Sequence, residues 1–267
     1  MQRIDSHCHI YPDAIAKRAV AGTADFYKLP LVYGGTLSDL ISVHDAVGIT
    51  NGVIFSVATV PHQTESINRF IAAAAEKSKG RFVGLGTVHP DSETLEEDIE
   101  TVLSLGLRGI KLHPDIQRVR IDSPKCLKIY DLCEGRLPVV LHCGDHRYDF
   151  SNPRRLSSVL SVFPSLTVIG AHFGGWSVWE EATALLTSYK NFYVDTSSSL
   201  YALSPERARE IIRAYGKERV LFATDYPMWR MEDEISRMEA LRLNEEEKRC
   251  IYYENAARLF GFPSFEP

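Results

Sequence analysis

His7 and His9 stand two residues apart in IDSHCHI, and three later blocks, VVLHCG, GAHFGG and FATDYP, each place a polar residue just after an apolar run. Those residues are His142, His172 and Asp225. Neutral imidazole nitrogens and a carboxylate oxygen are donors that suit a zinc-like divalent ion, and three histidines with one aspartate leave a position open for water. Such an ion lowers the pKa of its water towards ~7, which makes a nucleophile at neutral pH. Side chains alternate along a strand, so His7 and His9 face one way and Cys8 the other. One histidine after a strand is ordinarily a satisfied core or loop residue; four of them with an aspartate mark a metal centre. The expected ligands are His7, His9, His142 and Asp225, around one divalent ion, zinc first and manganese second.

Residues so far apart must be gathered by the fold. Eight short apolar, β-branched runs recur near residues 2–6, 52–57, 82–88, 107–112, 138–141, 166–171, 191–196 and 219–224. Runs of this kind suit strands buried on both faces of a parallel sheet. Helix signals lie between them. Ser123-Pro124, Asn152-Pro153 and Ser204-Pro205 each set a capping side chain before a proline at the first helical position. Ser92 precedes an acidic first turn that Gly106 stops, and Asn244 with Glu247 reads as a capping box for a last helix ending near Gly261. The pattern predicts an α/β fold, a single (β/α)₈ barrel domain over residues 1–267, whose strands bring their carboxyl ends to one face. A doubly wound sheet rarely gathers donors from strands one, five, six and eight. The first connection is long, with a returning helix near 36–49, so residues 10–35 form an insertion at the site's face. Its apolar patch of Phe26, Tyr27, Leu29, Leu31 and Val32 suits a lid, a dimer contact or packing on the barrel's own helices.

Bulk properties narrow the function further. The 267 residues match the roughly 250 of a one-domain barrel. The 45% hydrophobic and 24% charged composition belongs with soluble globular proteins. A net charge of -5 offers no basic excess for a phosphate backbone, so nucleic acid is not an expected partner. No apolar run reaches the ~18 residues of a membrane span. Five unpatterned cysteines do not read as a disulfide framework, and with no apparent leader a cytoplasmic location is the expectation. A homodimer is expected only from symmetry base rates.

IDSHCHIYP resembles the Asp-x-His-x-His opening of the amidohydrolase superfamily, and VVLHCG, GAHFGGW and FATDYP resemble later blocks of its amidohydrolase-related (amidohydrolase 2) branch of hydrolases and decarboxylases. The resemblance runs from residue 4 to about residue 227 in matching order, and HFGG and TDYP are its most specific strings. It implies His7, His9 and His142 as ligands, Asp225 as ligand or general base, and His172 polarising the substrate or shuttling a proton, so that Asp225 and His172 are the catalytic pair. Lys111 and His113 in RGIKLHPD sit where two-metal relatives carry a carbamylated lysine; they permit a second metal or a substrate contact. KLHP also occurs in mononuclear relatives, which favours one ion. Asp5 reads as a polar residue at the barrel mouth or, second, as an orienter behind the ligands, and His44, His62 and His89 read as structural.

The substrate is legible only in outline. Arg147 in CGDHRYDFSNP has the forked geometry that grips a carboxylate. Tyr148, Trp176 and Trp229 are further candidates for pocket walls, and Ser197 to Ser199 for the mouth. The leading expectation is metal-dependent hydrolysis of an amide, lactone or ester in a small, carboxylated molecule. The alternative is non-oxidative decarboxylation of an aromatic or unsaturated acid, which needs a flat aromatic slot. A non-catalytic metal-binding barrel is the third, disfavoured by the complete ligand set.

Overall fold

The structure, a computed structural model, describes residues 1–264. Eight parallel strands alternate with helices: β1 (Ile4–His9), β2 (Asn51–Phe55), β3 (Phe82–Gly84), β4 (Ile110–Leu112), β5 (Val139–Leu141), β6 (Val168–Gly170), β7 (Phe192–Asp195) and β8 (Val220–Leu221). They pair as β1-β2-β3 and β4-β5-β6-β7-β8, all parallel. Both seams between these sheets are bridged, at Gly86–Ile110 and at Cys8–Tyr226, and Ser6 N–H and His9 N–H donate across the second to Phe222 and Tyr226 carbonyls. The result is the expected eight-stranded barrel, with β2 to β8 shorter than their apolar runs and β1 continuing through the two histidines.

Alternation sorts the strand residues into two cores. Ile4, Val53, Phe55, Leu85, Val140, Ile169 and Leu221 fill the barrel interior, closed below by Tyr253 and Phe260. Ile54, Ile110, Leu112, Val139, Leu141 and Val194 face outward onto the helices. The first strand departs from simple alternation. Ile4 pairs with Asn51 and His9 with Phe55, but the register slips between Asp5 and Cys8, where β1 carries one residue more than β2. This bulge lets Ile4 point into the barrel and still turns His7 and His9 inward, while Cys8 packs outside.

Two helices follow β1 before β2 begins: α1 (Asp13–Tyr27) and α2 (Leu37–Val47), the latter capped by Thr36 accepting from Asp39 N–H. Then come α3 (Thr64–Lys77), α4 (Leu95–Ser104), the short α5 (Pro114–Gln117), α6 (Pro124–Cys133), α7 (Pro153–Val162), α8 (Trp179–Leu186), α9 (Pro205–Tyr215) and α10 (Met231–Ala240). The caps at Ser123, Asn152 and Ser204 form with proline behind each, as does the Asn244–Glu247 box. α4 starts later than expected: Thr94 is its N-cap residue, while Ser92 donates to Asp98 on its first turn. The last helical segment is also not uniform, because a π-turn over Cys250–Glu254 separates α11 (Glu245–Arg249) from α12 (Asn255–Phe260). All five cysteines are free and buried, and among the described residues no helix is long and apolar enough to cross a membrane.

Within the 10–35 insertion, α1 buries only Ala16 in full. It lies across the barrel mouth rather than in the helical layer.

Candidate active site

Three of the expected ligands converge. His7 Nε2 lies 3.2 Å from His9 Nε2 and 3.4 Å from Asp225 Oδ1. Donors bound to one tetrahedral ion at about 2.1 Å must stand ~3.4 Å apart, so these spacings are edges of such a coordination shell. Burial holds the pKa of His7 and His9 well below the usual imidazole range, with Lys111 and neighbouring histidines adding to the effect. Both rings are therefore neutral, as ligation requires. Donor type, spacing and protonation all fit a divalent metal held by His7, His9 and Asp225.

The residues behind these donors fix their orientation. His7 Nδ1 is 2.9 Å from Asp195 Oδ2, which assigns the ring proton to Nδ1 and leaves the Nε2 lone pair facing the cluster. Asp195 also accepts from His172 N–H and from Ser197. On the other side, Ser198 Oγ donates to Asp225 Oδ2, and Trp229 Nε1 donates to Ser198 Oγ at 2.7 Å. His172, Ser198 and Asp225 all sit at positive φ, 61°, 45° and 61°. Three non-glycine residues in this costly region at one site show a backbone held against local preference by the surrounding network.

His142 joins a neighbouring group, with His113 and Asp115, rather than the cluster of His7, His9 and Asp225. Hydrogen bonding explains why. His172 Nδ1 reaches Ser197 O at 3.1 Å and Oγ at 2.9 Å, so it carries the proton and its Nε2 accepts. The contact at 3.1 Å to His142 Nδ1 then makes that atom the donor. His142 Nε2 is left bare in a buried position, 3.5 Å from Asp115 Oδ2. Burial pushes Asp115 up to about 7, although Ser151 bonding pulls it back, and lowers His172 to about 4. His113 stacks face to face on His142 at 3.9 Å, and its Nε2 is 2.7 Å from the Tyr27 hydroxyl.

Lys111 points into the barrel, fully buried, with Nζ 3.3 Å from His7 Nε2. Burial lowers it to about 8, offset in part by Asp195 and Asp225. Its amine thus sits directly against the ligand cluster.

Above these residues lies a cavity of about 550 Å³. Its floor is the histidine cluster with Lys111 and Asp225, and its walls include Phe26, Tyr27, Leu31, Ile67, Phe70 and Met228. Arg147, Tyr148, Trp176 and Trp229, the expected substrate contacts, do not line it. The guanidinium of Arg147 is consumed by Asp145, two residues earlier, through Nε and Nη2, and by the carbonyl of Phe26. The rings of Phe26, Tyr27, Tyr148 and Trp176 surround it with centroids 5.1 to 5.5 Å away. Arg147 therefore clamps the end of α1, with its donors directed to the chain itself. Trp229 stacks on Tyr201 at 4.5 Å, outside the cavity.

Asp5 is also placed differently from the expectation of a residue at the mouth. It is wholly buried on the outer side of β1, accepts from the backbone and hydroxyl of Thr224, and faces His44 of α2 at 3.3 Å. It fastens β1 to the strand-eight end that carries Asp225. Asp195 and Asp115 escaped the reading of the sequence, and Tyr27 stands in it only as part of an apolar patch. Asp195 carried a usable signal: it ends the seventh apolar run, as Asp225 follows the eighth.

The family model described as amidohydrolase matches residues 4–262. No curated protein matches the chain. Among solved structures, an uncharacterised TIM-barrel protein of Bordetella bronchiseptica superposes with a TM-score of 0.80 at 22% identity, covering 98% of this chain and 99% of that one. The 5-carboxyvanillate decarboxylase of Novosphingobium aromaticivorans, complexed with manganese and 4-hydroxy-3-methoxy-5-nitrobenzoic acid, gives 0.78 at 18% identity, with coverages of 97% and 96%. A probable 2-pyrone-4,6-dicarboxylic acid hydrolase of Acinetobacter baumannii, with citric acid bound, gives 0.72 at 20%, with coverages of 98% and 100%. At such identities the likeness is one of fold.

Proposed function

The chain belongs to the amidohydrolase family, and from that premise we propose that it is a metal-dependent, non-oxidative decarboxylase of an aromatic or unsaturated carboxylic acid. The observation that carries this reading is the cavity: an aromatic and aliphatic chamber built by Phe26, Tyr27, Leu31 and Phe70 directly over the ligand cluster. Flat apolar walls suit an unsaturated ring, and keeping water from the carboxylate favours a reaction that disperses its charge as carbon dioxide leaves. A divalent ion held by His7, His9 and Asp225 would act as a Lewis acid on a substrate oxygen. Zinc and manganese both suit this donor set, and the decarboxylase of like fold was solved with manganese.

The chain's own groups do the rest. Lys111 offers positive charge for the substrate's carboxylate beside His7. Asp195 keeps the His7 proton on Nδ1, away from the ligand lone pair. Breaking the bond to the carboxyl carbon leaves an electron pair on the ring carbon, which must take up a proton. His172, whose ring lines the cavity, would supply it when protonated at Nε2 and return to the neutral ring.

Hydrolysis of an ester, lactone or amide is the second reading, favoured by Asp225. Its Oδ1 stands 3.4 Å from His7 Nε2 at the ligand cluster, where it could take a proton from an attacking water, and Ser198 holds its Oδ2. The test is a paired assay of the manganese- and zinc-loaded protein. Carbon dioxide release from ortho-hydroxybenzoates, without hydrolysis of aryl esters or lactones, supports decarboxylation; the reverse pattern replaces it with hydrolysis.

A further inference from the structure

The cavity extends well beyond the ligand cluster, and its shape follows from two helices. Ile15, Arg18, Ala19, Gly22, Thr23 and Phe26 all line it. Their spacing of three and four residues puts them on one face of α1, so that whole face looks into the cavity. Opposite, Gln63, Ser66, Ile67 and Phe70 repeat the same spacing at the start of α3. From Tyr27, above the histidines, to Arg18 is nine residues, or about 13 Å at a helical rise of ~1.5 Å per residue. The middle of this face is kept thin. A Cβ added at Gly22 would meet no atom within 4 Å, and Ala19 is its neighbour on the stripe. At the outer end, the guanidinium of Arg18 makes no ion pair or hydrogen bond among the described residues. A volume of about 550 Å³ falls in the range that takes a drug-sized ligand.

Resting on the decarboxylase reading for the chemistry at the floor, we infer that the gap between α1 and α3 is a subsite for a substrate arm. The substrate is an acid longer than one ring. Its apolar arm passes Gly22 between Phe26 and Ile67 or Phe70, and its far end presents a hydrogen-bond acceptor to Arg18. Continuity with the ligand cluster identifies the occupant: what fills the gap is joined to what reacts at His7 and His9. The absence of a bulky side chain at position 22 leaves the room that the arm takes.

The test is calorimetric binding of three probes to the manganese-loaded protein, with turnover scored separately. The probes are 2-hydroxybenzoate, its 4-phenyl derivative, and the same biaryl bearing a terminal carboxylate. The wild type should bind the 4-phenyl acid at least about tenfold more tightly than 2-hydroxybenzoate, and the terminal carboxylate should add a further gain. Gly22→Leu should erase the phenyl gain and leave 2-hydroxybenzoate within twofold, while Gly22→Ala, for which there is space, should keep it. Arg18→Met should remove only the gain from the terminal carboxylate. Equal binding of the one-ring and two-ring acids, or a Gly22→Leu loss common to both, would overturn the inference. If the long acids bind in this pattern but lose no carbon dioxide, the subsite stands and the decarboxylase reading falls. If 2-hydroxybenzoate is decarboxylated and the arm brings no gain, the reading stands and the subsite falls.

Discussion

The floor and the roof of the cavity are built on different physical terms. On the floor, the chemical groups come from a barrel strand or its end, nearly all are buried, and three are held by a partner from another strand: His7 by Asp195, His172 by Ser197, Asp225 by Ser198. The roof is one helix with a single fully buried residue, fastened at its end by Arg147. A framework of strands supplies positions good to a fraction of an ångström, whereas a surface helix is free to vary in length and face. Chemistry common to a family belongs on the first, and choice of substrate on the second.

This contrast predicts mutational effects of different kinds. Asp195→Ala should be the most damaging, because one carboxylate orients His7, the His172 backbone and Ser197. Metal affinity should fall by roughly 10- to 100-fold, as for other partners of ligating histidines, measured by chelator competition, and turnover should fall further. An unchanged metal affinity would break the claim that the floor is tightly coupled. Arg147→Ala should act on the roof alone: KM rises by roughly tenfold with kcat little changed, since the substituted group fastens the helix that forms the binding wall and touches no reacting atom. A large kcat loss at constant KM would show that α1 takes part in the chemistry.

Glu234 offers a sharper contrast, since it is buried outside the cavity on α10. Burial pushes its carboxyl up to about 7 from the usual 4.5, with Arg237 opposing. The folded chain therefore keeps a proton that the unfolded chain gives up. Stability is unaffected below about pH 4.5 and falls as pH rises towards 7. Glu234→Gln should flatten that part of the stability curve and raise stability at pH 8 by up to about 3 kcal/mol, read from denaturant unfolding at several pH values. Activity at fixed pH should not change. Smallest of all, Ser204→Ala removes the cap of α9 and should cost about 1 kcal/mol without touching turnover; a kinetic effect there would mean that the outer helices and the floor are not separable.

The sequence declared its floor and concealed its roof for related reasons. Strand-end histidines are legible because alternation and short apolar runs state where a strand stops and which way its side chains face. The same rules put Cys8 outside and His7 inside. Partners are harder to see: Asp195 lies 188 residues from His7, and only the closed barrel brings them together. Arg147 was misleading because an arginine in a loop looks free until its contact with Asp145, its neighbour in a turn, is known. The stripe from Ile15 to Phe26 is a plain helical repeat, but it reads equally as packing on a core. Only the cavity beneath it distinguishes the two.

The bulge in β1 has a meaning in terms of parity. Between Asp5 and Cys8 the first strand spends three steps where its neighbour spends two, from Gly52 to Ile54. Inward and outward positions exchange there, so the sites of the two histidines are fixed by a count as much as by residue type. Strict alternation back from His9 and His7 would send Ile4 to the helical side and Asp5 into the barrel; the extra residue lets both ends of the strand keep their faces.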